Sequence, residues 1–150
     1  MRSILSAYSQ RRRFSAGSLQ ELAADIVRAD DVRTKALLAA ECADLWRKRA
    51  ITVRCSRGKK VELPELPGRP EKPELLVPKK CKFRPEVSSL PVYVVHAVAH
   101  IEVNAMDLYA DSICRATESD LPEEFFDDFV NVLADETRHF VACITHTHAF

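Results

Sequence analysis

The sequence predicts an all-α protein: a helical hairpin amounting to half of a four-helix bundle, preceded by two N-terminal helices and a proline-rich extended strap. Three observations carry that reading. Val92 to Cys114 holds neither proline nor glycine, enough for a helix of about six turns. Phe126, Phe129, Leu133, Phe140 and Cys143 then recur at helical spacing. Seven of the eight prolines lie between Pro64 and Pro91, where regular helix is therefore excluded. The chain divides accordingly into a basic segment over 1–16, a helical region over 17–50, the strap over 51–90 and the hairpin over 91–150.

Residues 1–18 hold four arginines, five serines and no acid. Ile4, Leu5 and Tyr8 can form an apolar stripe opposite the arginines, which is the composition of a mitochondrial transit peptide and equally of a frayed basic terminus. Ser18-Leu-Gln-Glu21 fits a capping box and starts a short helix with Leu19, Leu22 and Ile26 inward. Asp30 or Asp31 caps a second helix running to about Arg49, whose stripe is Val32, Ala36, Ala39, Ala43 and Trp46. Trp46 reads as a core anchor. In the strap, Leu63, Leu66, Leu75, Leu76 and Val77 are expected to tie the extended chain to the helical core.

Ser88 or Ser89 caps the first hairpin helix, with Pro91 in its first turn. Its inward stripe reads Val95, Val98, Ala99, Glu102, Ala105, Met106 and Tyr109. Asp120-Leu-Pro-Glu123 reads as a capping box for the second helix, whose stripe includes Glu136, with His139 three residues on. Each apolar stripe is thus interrupted by one glutamate. An ionised carboxylate buried without a partner costs several kcal/mol, so such residues need a counter-charge. A divalent metal provides one, and four-helix di-metal proteins use one Glu from each of two helices and a Glu-x-x-His from each of the other two. Glu102, Glu136 and His139 make one half of that set. The plainer alternative is a buried salt bridge in which Arg138 or His139 neutralises a glutamate. His96 and His100 share a face, but His100 lies roughly 200° around the helix from Glu102. That leaves the two histidines the role of outer residues orienting a carboxylate.

Charge is segregated although the total is zero. Residues 1–50 carry ten basic and six acidic side chains, residues 51–90 ten and five, and residues 91–150 two and eleven. The acidic last third is expected to pack on the basic remainder, which leaves no large basic face for nucleic acid. No apolar stretch is long enough to span a bilayer, so no membrane role is expected. Five scattered cysteines without a C-x-x-C pair indicate reduced thiols in an intracellular protein, mitochondrial if residues 1–16 are a targeting segment and otherwise cytoplasmic. Three glycines, none in a phosphate-loop pattern, and the absence of a G-x-S-x-G elbow exclude nucleotide-loop and hydrolase-elbow chemistry.

The blocks GRPEKPELLVP, HAVAHIEVNAMDLYAD and LPEEFFDDFVNVLADETRHF, after IVRADDVRTKALLAAECADLWRKRA, resemble the ferritin-like domain-of-unknown-function family numbered 455. The resemblance spans about residues 17–142. It implies a ferritin-like fold and a di-metal centre of iron or manganese. Glu102 would be the first-helix carboxylate, Glu136 and His139 the second-helix pair, and His100 the histidine preceding the first carboxylate. It also implies a second helical hairpin beyond this point, so the chain reads as a truncated member. The functional expectation is an oxidoreductase-like or iron-handling protein whose site is completed by a homodimer or a full-length homologue. The competing expectation is a non-catalytic helical interaction module or an inactive fragment.

Overall fold

A computed structural model describes residues 17–54, 61–72 and 74–147. The basic segment 1–16, on which the targeting expectation rests, lies outside the described residues. Within them the chain forms four α-helices, one 3-10 turn and no strand. The helices are α1 (Leu19–Arg28), α2 (Val32–Arg47), α3 (Leu90–Ala116) and α4 (Glu123–Thr147). α1 packs on α2 and α3, α2 on α4, and α3 on α4, so the two hairpins face each other as a four-helix bundle. No helix among the described residues is long and apolar enough to cross a membrane.

Local chemistry sets the helix starts. Ser18 and Glu21 form the capping box reciprocally, with Glu21 N donating to Ser18 Oγ at 3.3 Å and Ser18 N to Glu21 Oε2 at 3.0 Å. The free amides of Leu19 and Gln20 donate to the carbonyls of Thr52 and Val53, so the chain leaving α2 closes the end of α1. Asp31 rather than Asp30 caps α2, accepting from Thr34 N at 2.7 Å. Ser89 precedes α3 with Pro91 in the first turn, where a missing amide proton leaves no carbonyl unsatisfied. The second expected capping box does not form, because α4 begins at Glu123 itself. Asp120 is then three residues outside the helix, and Phe125 N instead donates to the Pro122 carbonyl.

The core is made by the expected stripes of α1 and α2, with Leu19, Leu22, Ile26, Ala36, Ala39, Ala43 and Trp46 all buried. Trp46 meets Phe126 edge-on and donates its indole N–H to Asp127 at 2.7 Å. On α3 the buried line is Ala99, Val103, Met106, Ala110 and Ile113, rotated from the predicted stripe. The reason is that α3 serves two neighbours, α1 and α4, and Glu102 is left at the α4 boundary. On α4, Phe126, Leu133 and Phe140 are buried as expected, with Phe129, Glu136 and Cys143 partly so.

The strap is held differently from expectation. Val61 and Leu63 pack against the core, whereas Leu66, Leu75, Leu76 and Val77 are exposed. Polar contacts do the anchoring. Gly68 N donates to the Val27 carbonyl at 2.8 Å at the end of α1, Arg28 donates to the Glu62 carbonyl, and Arg69 reaches Asn104 and Asp107 on α3. A side chain at Gly68 has no room, since its Cβ would lie 2.5 Å from Arg28 O and 2.7 Å from Ala29 O.

The segregated charges meet across helices. Arg49 binds Glu123 and both oxygens of Asp127, and Arg47 binds Asn131. Arg49 achieves this with a left-handed backbone (φ 53°) that ends α2. In the interior, Lys35 is fully buried. Its ammonium donates to Asp107 Oδ1 at 2.6 Å and to the Ile26 and Val27 carbonyls at 2.8 and 3.1 Å. Those carbonyls belong to the last turn of α1, which has no intrahelical donors for them. Lys35, Asp107 and Arg69 thus join α2, α1, α3 and the strap at one point. No local pattern in the sequence marks a lysine destined for burial.

Candidate metal centre

Glu102 and Glu136 project toward each other because α3 and α4 run side by side with those positions on their common boundary. His139 lies one turn beyond Glu136 on α4, and its Nδ1 is 3.1 Å from Glu136 Oε2 and 3.8 Å from Glu102 Oε2. One ligand atom from each of the three residues falls within 4.8 Å of the others. Among the described residues this is the cluster of three or more such groups close enough to share one ion.

The electrostatics favour a cation. Burial raises the Glu102 carboxyl above its ordinary value, and the facing Glu136 raises it further, by sharing a hydrogen bond and by like-charge repulsion. His139 acts in the opposite direction. Glu102 keeps only 14% of its side-chain exposure and Glu136 21%, while His139 keeps 59% and opens the site to solvent. Of the two partners in the salt-bridge alternative, Arg138 pairs with Asp135 instead, whereas His139 lies within ion-pair distance of both glutamates. Two carboxylates and one imidazole match the donor preferences of iron or manganese, and the open side leaves room for further ligands.

The apolar surroundings come from both helices. Tyr109 meets Phe129 edge-on at 5.7 Å between ring centroids, and Phe129 stacks on Phe125 at 4.2 Å. Phe140 is fully buried in the core. Cys143 is close enough that the Glu102 charge, added to burial, raises its thiol.

His96 and His100 form their own pair, with ring centroids 4.7 Å apart at 72°. Burial, followed by the positive charge of His96 and of Arg69, lowers the His100 imidazole. They thus face the strap side of α3, and the cluster that gathers Glu102, Glu136 and His139 does not include them. Near the C-terminus, His146 is exposed, and residues 148–150 lie outside the described residues.

Fold and site together define an all-helical protein with a carboxylate–imidazole cluster at the seam of two long helices. The chain belongs to the family described as Protein of unknown function (DUF455), whose model matches residues 28–150. No curated protein and no solved structure matches it.

Proposed function

We propose that this chain is a ferritin-like di-metal carboxylate protein that binds iron or manganese through Glu102, Glu136 and His139. It acts in an oxidoreductase-like or iron-handling role, and a second copy completes the site. The observation that carries this reading is the convergence of two partly buried carboxylates and an imidazole from facing helices within 4.8 Å. A cation there removes the like-charge penalty that raises Glu102 and takes up ligands that no arginine neutralises. Two copies bring four glutamates and two histidines, the full set used by di-metal bundles.

When bound, the metal pair supplies one-electron chemistry toward dioxygen or ferrous iron. The protein's own part is to hold the two carboxylates and His139 in place and to screen the seam from water with Tyr109 and Phe129. His96 and His100 pair with each other on the strap side of α3 and enter this reading only as outer residues available to orient a carboxylate.

Metal content per chain, measured with mass in solution on protein from iron-supplemented cells, tests the proposal. About one iron or manganese per chain is expected, half of a two-metal set shared by two copies. Glu136→Gln should abolish it while leaving the helical spectrum intact. Metal-free wild-type protein, or Glu102→Gln and Glu136→Gln proteins that keep the wild-type metal content, overturns it.

A further inference from the structure

α3 presents a second apolar line, directed away from the core. Leu90, Val94, Ala97, Ile101 and Leu108 are exposed, Ile101 by 63% and Leu108 by 61%. Val94, Ile101 and Leu108 are spaced by sevens, the repeat of a helix-on-helix seam. At about 100° per residue, no charged side chain enters this sector between Leu90 and Ser112. The half-buried Val98 and Ala105 carry the line around the helix to Glu102, so a helix laid on it also covers the open side of the metal cluster.

We infer that this face is a homodimer interface on which α3 of a second copy packs antiparallel, with the two-fold axis passing beside Ile101. The inference rests on the proposed metal site for its consequence but not for its contacts. Three features select a second copy as the occupant.

The line is self-complementary, since Val94 and Leu108 lie seven residues either side of Ile101 and exchange places under a two-fold rotation. The ends of α3 carry opposite charge. Phe83 meets the Tyr93 ring at 5.5 Å, and Tyr93 donates to the Cys81 carbonyl, so the exposed Lys79, Lys80, Lys82 and Arg84 lie beside the start of α3. The exposed Glu118, Asp120 and Glu124 follow its end. An antiparallel crossing brings the basic end of each copy to the acidic end of the other, whereas a parallel one opposes like charges. Finally, Glu102 is adjacent to Ile101, so the same axis draws the two incomplete ligand sets together.

Sedimentation equilibrium of the full chain, first stripped with a chelator and then loaded with manganese, provides the test. Metal-free wild-type protein is expected at twice the 16.9 kDa chain mass. Ile101→Lys and, separately, Leu108→Lys should be monomeric with an unchanged helical spectrum, because both positions are already solvent-exposed in the single chain. Glu102→Gln/Glu136→Gln should remain dimeric, so loss of metal and loss of the interface are read independently. A metal-free wild-type monomer overturns the inference, whether the face is used by another protein or by none. A dimer that survives both lysine substitutions overturns it as well.

Discussion

The buried triad of Lys35, Asp107 and Arg69 makes a prediction whose order follows from charge alone. Lys35 and Asp107 are almost wholly inaccessible, whereas Arg69 keeps 20% of its side-chain exposure. The intact group is two cations around one carboxylate. Asp107→Leu leaves two cations facing each other, one of them fully buried and held only by carbonyls. Breaking a buried pair in this way costs about 3–5 kcal/mol. Lys35→Met leaves the Asp107–Arg69 pair neutral and forfeits two bonds to the end of α1, a loss of about 1–3 kcal/mol. Arg69→Met leaves Lys35 paired and should cost least, about 1 kcal/mol.

For a chain of this length, the Asp107 variant should melt lower by about 10 °C or more. Thermal and urea unfolding of the three variants read the order directly. If Asp107→Leu is no worse than Arg69→Met, the charge reasoning is wrong. The pH response gives a second reading. Burial lowers the Lys35 ammonium below its ordinary 10.5, and Asp107 opposes that shift. The unfolded chain therefore holds the proton longer, and stability from this group rises as pH climbs from the folded value toward 10.5. With Asp107 replaced, the opposing influence is gone, so the rise should begin at lower pH and be larger.

Three further outcomes are expected. Gly68→Ala should destabilise by about 1–3 kcal/mol, since the added methyl meets backbone carbonyls at the end of α1 that cannot yield; equal urea midpoints would refute the close approach. Ser18→Ala should cost about 1 kcal/mol through loss of the capping box, read as earlier amide exchange in α1 before the rest of the fold opens. Among the cysteines of the described residues, thiol labelling of native protein should reach the exposed Cys81 first and spare Cys42 and Cys114, whose thiols burial pushes up to about 12 and about 11. Native-state labelling of Cys42 at the rate of Cys81 would contradict that burial. The contribution of these raised thiols to stability falls as pH rises above about 9, because the unfolded chain loses these protons first.

Much of the fold is legible in the residues because its signals are local. Ser18 and Glu21 cap α1 through a four-residue pattern, and the stripe from Val32 to Trp46 follows from helical period alone. The absence of helix-breaking residues after Val92 and the proline density before it separate hairpin from strap. Glu102, Glu136 and His139 are readable for the same reason, since a charged residue breaking an apolar stripe is visible without knowing what the stripe faces. What tertiary structure alone decides is which faces meet. Of the leucines expected to anchor the strap only Leu63 packs on the core, and Gly68 and Arg69 hold the chain beside it, because backbone carbonyls ending α1 and a carboxylate on α3 lie within their reach. Lys35 is buried because its ammonium finds three oxygens at distances no sequence spacing encodes. The rotation of α3, which turns Val103 inward and leaves Ile101 in water, comes from sharing that helix between α1 and α4. A periodic pattern specifies that a helix has an apolar face; only the packing of its neighbours determines how much of that face they cover.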